Sequence, residues 1–125
     1  MPGHDFPRPP PVEILHEPNS ALTQPFASAA LTHNGASGFR LYSVGVDGLL
    51  LRLELIAQAK SSLDLQYYIF HGDESGRLIT EALLRAAQRG VRVRILVDDA
   101  ESAAGDEQVF ALAGEPHAAI RVFNP

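Results

Sequence analysis

Seven side chains carry most of the chemistry this sequence offers: Asp47, His71, Asp73, Glu74, Asp98, Asp99 and Glu101. Each stands just past a run of alternating apolar residues, where a strand gives way to the segment behind it. Carboxylates gathered at strand ends are the donor set of a hard divalent cation. The chemistry that goes with such a site is Mg²⁺-dependent phosphoryl transfer. One imidazole among them, His71, has the address of a general acid or base.

Each of these residues also has a plainer reading. Asp73 is placed to cap a helix beginning near Ser75, and Asp99 to shape a turn. A lone His such as His71 is read first as a structural hydrogen-bond partner. The run "ILVDDA" superficially resembles the acidic pair of a receiver domain, which also needs a later strand-end Asp and a strand-end Lys. The single lysine, Lys60, falls on a helix instead. The chain has no Gly-rich phosphate loop with a Lys, no G-x-S-x-G elbow and no H-E-x-x-H. His4, His16 and His33 precede the patterned region, and His117 falls in the loop before the last strand.

The elements that must position the rim follow from periodicity. "FRLYSV" (39–44), 62–70, 91–99 and the final "AAIRVFNP" alternate as strands, and 47–60, 75–90 and 106–114 have helical spacing. Asp47 is the expected N-cap of the first helix, and Gly90 the residue that ends the second. On the first helix Leu49, Leu53, Ile56 and Ala57 form one apolar face, and Leu51 and Leu55 a second. The order β-α-β-α-β-α-β predicts an α/β fold: a mainly parallel sheet with helices on both faces, and ligands beyond the C-terminal strand ends. Asp64 and Gln66 share one face of their strand, and Arg92 and Arg94 one face of the next. A cross-strand ion pair between Asp64 and Arg94 is expected.

Composition bounds the function. Seven of the nine prolines precede residue 26, so residues 1–37 read as a Pro-rich, mostly irregular leader. Residues 38–125 read as the domain. Within the leader, "ALTQPFASAAL" (21–31) is either a strap packed on the domain or a linker. A net charge of −5 argues against binding nucleic acid, and the lack of cysteine excludes disulfides and thiolate metal sites. No apolar run is long enough to span a membrane.

Three stretches together resemble a known family. "SLDLQYYIFHGDESGRLITEALLRAAQRGVRVRILVDD" is similar to the N-terminal part of a phospholipase D superfamily domain, in its bacterial cardiolipin synthase-like branch. "FRLYSVGVDGLLLRLELIAQAKSSLDLQYYI" resembles that family's opening strand and helix, and "ALAGEPHAAIRVFNP" its segment ending in "FNP". The likeness runs over about residues 38–125. In the family, "FNP" shortly precedes the first H-x-K-x4-D motif. Here the residues two beyond each His are Phe6, Pro18, Gly35, Asp73 and Ala119, so the chain holds no H-x-K.

The resemblance implies phosphodiester exchange on phospholipids through a covalent phosphohistidine, with no metal and no cofactor. It also implies a bacterial, membrane-associated full-length protein, of which this chain is the N-terminal portion and by itself inactive. No catalytic residue is then expected within the chain, and Tyr68, His71, Asp98 and Asp99 are the expected pocket wall. An incomplete sheet leaves an open strand edge, so self-association or pairing with further segments is expected. Two other readings stay open: a noncatalytic binding or assembly module, and a Mg²⁺-dependent phosphotransfer domain.

Overall fold

A computed structural model of the chain describes residues 20–98 and 111–123. Asp99, Glu101 and most of the expected helix 106–114 lie outside the described residues. The elements are α1 (Gln24–Thr32), α2 (Gly45–Gln58), β1 (Ser62–Tyr67), α3 (Glu74–Gln88), β2 (Arg92–Asp98) and β3 (Ala118–Phe123). The strands form a parallel sheet in the order β1-β2-β3. The expected parallel α/β architecture is therefore present, with three strands among the described residues.

Strict alternation gives the sheet two unlike faces. Leu63, Leu65, Val93, Ile95, Val97 and Ile120 turn to the core, and Val93 is fully buried there. Asp64, Gln66, Arg92, Arg94 and Arg121 occupy the alternate positions. α3 covers the apolar face with Ile79, Ala82, Leu83, Ala86 and Ala87, the spacing of one helical stripe. Its three alanines let the helix approach the strands closely, and Leu83 and Ala86 are wholly inaccessible. α2 adds Leu49, Leu53 and Ile56 to the same cluster, so both helices lie on one side of the sheet. No described residue covers the polar side with a helix.

Hydrogen bonds at the helix ends fix the two helices to each other and to the strands. Gly90 has φ +90, a backbone conformation that suits glycine. Its N–H donates to the Ala87 carbonyl at 2.8 Å and the Val91 N–H to that of Ala86 at 3.1 Å, the paired bonds of a Schellman ending. Arg89, the C-cap residue of α3, donates through Nη2 to the carbonyls of Ile56 (3.1 Å) and Ala57 (3.3 Å). The last turn of α2 is thus satisfied by a side chain of α3.

Two local expectations are corrected, and one open alternative is narrowed. Residues 39–44 form no strand: Phe39 is 96% exposed and Leu41 92%. Alternation makes a strand only where an edge accepts its backbone bonds, and among the described residues none is paired with this segment. α2 begins before Asp47, with Val44 as N-cap and no side-chain cap bond. Asp47 lies in the first turn instead, where its charge complements the helix dipole. Within the leader, residues 24–32 are helical, with Pro25 at the start and no buried residue, so α1 does not act as a buried strap.

The start of α3 is held by close packing. A Cβ at Gly76 collides with the carbonyl oxygen of His71, whereas one at Gly48 in α2 meets nothing within 4 Å. Gly76→Ala is expected to lower the urea unfolding free energy by about 2 kcal/mol or more. Gly48→Ala is expected to raise it by about 0.5–1 kcal/mol, through helix propensity alone. Equal effects of the two substitutions would contradict the packing at Gly76.

Candidate functional site

The loop from Tyr68 to Asp73 leaves the C-terminal end of β1, and three contacts determine its path. The rings of Tyr67 and Phe70 meet edge to face at 5.1 Å between centroids, which ties the loop to the strand it leaves. Asp73 is the N-cap of α3, with extended backbone. Its Oδ1 accepts from the Gly76 N–H at 2.8 Å and from the Ser75 hydroxyl at 2.7 Å. The bond from Gly76, followed by that from Ser75, holds the Asp73 carboxyl below the usual carboxylate range. The third contact is the approach of Gly76 to the His71 carbonyl.

These constraints leave a concave site of about 500 Å³ at the strand end, between the first turns of α2 and α3. Its wall includes Gly45, Arg52, Tyr67, His71, Asp73 and Ser75. A second cavity of about 580 Å³ runs beside it along the outer edge of β1, lined by Arg52, Leu55, Leu63, Tyr68 and Ile69 among others. Arg52, Tyr67 and Ile69 belong to both walls.

The expected wall residues are therefore divided. His71 is exposed and faces the strand-end cavity. Tyr68, also exposed, lines the neighbouring groove. Asp98 ends β2 in register with Phe123 of β3, half-buried, and lines neither cavity. Asp99 lies outside the described residues. Among the described residues no group of three or more His, Asp or Glu side chains is placed to hold a metal ion. Asp73, from the acidic rim, is used in capping, and Asp47 and Glu74 are exposed in helix first turns.

Sequence reasoning passed over Arg52. The signal was its position: it lies three residues from Leu49 and four from Ile56, a cation on the margin of the apolar stripe of α2.

On the polar face of the sheet the expected ion pair is present. Asp64 and Arg94 are register partners, joined by Nε–Oδ1 at 2.5 Å and Nη2–Oδ2 at 2.8 Å. This bidentate bond, ahead of the general attraction of Arg94, holds the Asp64 carboxyl low and raises the Arg94 guanidinium. The pair lies mid-strand, away from the strand-end cavity, and is structural.

A parallel α/β sheet with its concave site at the C-terminal strand ends defines the class. Within it, residues 53–121 match the family described as cardiolipin synthase, PLD-like domain. The chain belongs to that family. It is 42% identical over 93 residues to cardiolipin synthase C of Escherichia coli (strain K12), covering 74% of this chain and 20% of that protein. It is 37% identical over 81 residues to the major cardiolipin synthase of Bacillus subtilis (strain 168), covering 65% and 17% respectively. An uncharacterized protein of Helicobacter pylori (strain ATCC 700392 / 26695) is 40% identical over 81 residues, 65% of this chain and 16% of its own length. The chain thus spans about a fifth or less of the curated relatives it matches.

The two lowered carboxyls make stability depend on acid. A carboxyl whose folded value lies below its unfolded value of about 3.9 stabilises the fold above that pH. The contribution is lost as pH falls through the folded value. Urea midpoints measured from pH 6 to pH 2.5 should therefore drop most steeply below about pH 4. Asp73→Asn retains a capping side chain but not the charge. Combined with Asp64→Asn, it should flatten that acid limb, and an unchanged limb would show that these bonds do not set it.

Proposed function

We propose that this chain is the N-terminal portion of a phospholipase D-type phosphatidyltransferase or phosphodiesterase acting on phospholipid phosphodiesters. It supplies scaffold and pocket wall, and the catalytic H-x-K motifs lie in further sequence. The observation that carries this reading is the conjunction of family membership with the lack of any His followed two residues later by Lys. Coverage of no more than about a fifth of the cardiolipin synthases above agrees with it.

In the proposed reaction a histidine of one motif attacks phosphorus and the first alcohol leaves with a proton from the paired histidine. A second alcohol, or water, then attacks the phosphohistidine and restores it. Lysines of the two motifs neutralise the equatorial oxygens. Tyr68, His71, Asp98 and Asp99 remain the proposed wall residues of this portion, with His71 closest to the role because it faces the strand-end cavity.

The test compares this chain with one extended through two H-x-K motifs, using a fluorescent phosphatidylglycerol substrate. The 125-residue chain should show no turnover. The extended chain should turn over equally with and without EDTA, and lose on the order of 10³-fold or more when either motif histidine is replaced. Loss on chelation, restored by Mg²⁺ and weakened by Asp98→Asn, would favour the metal-dependent reading instead.

The same reading extends to association. Both outer edges of the sheet, on β1 and β3, are unpaired among the described residues, and Val122 and Phe123 of β3 are exposed. Sedimentation of the chain should show dimers or larger species at high concentration. A monodisperse monomer would count against it.

A further inference from the structure

The outer edge of β3 carries backbone groups that no described residue takes up. The Val93 N–H donates to the His117 carbonyl at 2.8 Å, and β3 runs parallel to β2. Along such a strand, successive residues turn both backbone groups toward the neighbour and then both away. Ala119, Arg121 and Phe123 therefore face β2, while Ile120 and Val122 turn N–H and C=O outward. The Ala118 carbonyl points outward with them, and the Ala118 N–H is taken by the Glu115 carbonyl at 3.0 Å. The edge has no proline, and its register against β2 is unbroken, so the usual devices that blunt a strand edge are missing.

The β1 edge differs. Arg52, Leu55 and Ile56 of α2 flank it and wall the groove there. Strands lie about 4.8 Å apart and a helix is about 10 Å wide. Two copies joined through β1 would bring both α2 helices over one pair of strands, where they do not fit. On β3, Val122 is 40% exposed and Phe123 55%, and no described helix flanks the edge.

Charge then fixes a register. Two β3 strands meeting antiparallel about a two-fold axis must set outward-facing residues opposite one another, with Ala119, Ile120 or Arg121 on the axis. Arg121 on the axis opposes two guanidiniums at the closer cross-strand spacing, which destabilises the pair. Ala119 on the axis sets Val122 opposite Pro116, which has no N–H to give. With Ile120 on the axis, Arg121 falls opposite Ala119, Val122 opposite Ala118 and Phe123 opposite His117. Ile120 exchanges both bonds with its counterpart, and each Val122 N–H reaches the Ala118 carbonyl of the other copy.

We infer that β3 pairs antiparallel with β3 of a second copy of this chain, centred on Ile120, joining the two sheets into one. This rests on the association proposed above and names its edge, its occupant and its register.

The test mixes carbon-13-labelled and unlabelled 125-residue chain and records isotope-filtered NOE spectra where sedimentation shows association. Ala119 and Arg121 form the close cross-strand pair, so an intermolecular contact between their α protons is expected. Val122→Pro removes an outward N–H that no described residue accepts, and should weaken association about tenfold or more with the thermal midpoint little altered. Gln66→Pro is the matching change at β1. The Arg92 N–H donates to the Ser61 carbonyl at 3.0 Å, so the Gln66 N–H turns outward, and its loss should leave association unchanged.

An associated species whose filtered contacts lie on β1, on the helices or between the two Arg121 residues would overturn this assignment and leave association standing. So would weakening by Gln66→Pro but not by Val122→Pro. A monomer at every concentration would overturn both. Should Val122→Pro unfold the chain, the filtered contact in the unsubstituted protein decides. No turnover is measured, so the phosphodiester chemistry is tested separately.

Discussion

The first turn of α3 lies against the carbonyl of His71 so closely that position 76 has room only for hydrogen, and the rim of the sheet is arranged around that contact. Gly76 also donates its N–H to Asp73, so one residue is both the point of closest approach and the anchor of the helix cap. The loop between β1 and α3 is consequently held at both ends: by Phe70 against Tyr67 at the strand, and by Asp73 at the helix. His71 faces its cavity because its neighbours are fixed, without any side-chain bond of its own being required. The alanines further along α3 continue the same approach down to Val93.

Fixing α3 fixes the rest of the covered face. Arg89 carries the constraint from the far end of α3 to the last carbonyls of α2, and α2 in turn forms the outer wall of both cavities. The opposite face of the sheet is built on different terms. Asp64 and Arg94 bind each other across the strands, while Arg92 and Arg121 share their side. A parallel sheet is ordinarily covered on both faces. On the proposed reading, further polypeptide covers this one and meets a surface already neutralised in part by its own ion pair.

Much of this could be read from residue order. The alternation in β1, β2 and β3, the cap at Asp73, the ending at Gly90 and the Asp64–Arg94 pair each depend on neighbours a few residues away or on strand register. What escaped depends on partners that local pattern does not specify. "FRLYSV" alternates as a strand does, yet pairing needs an edge. The alternation of Asp64 and Gln66 with Leu63 and Leu65 marked one polar face, which no helix among the described residues covers. The place of His71 in the loop beyond the end of β1 was legible. Tyr68 turned to the neighbouring groove because a residue past the strand end follows the loop, whose course the Tyr67–Phe70 contact decides.

The central claim is that this portion shapes a phosphodiester site whose covalent chemistry resides elsewhere in the polypeptide. The most direct measurement is to quench the extended chain during turnover of phosphatidylglycerol labelled with phosphorus-32, digest it under conditions that preserve phosphohistidine, and locate the label. The account predicts a single labelled histidine within an H-x-K motif and none in residues 1–125. Label on His71 would contradict it.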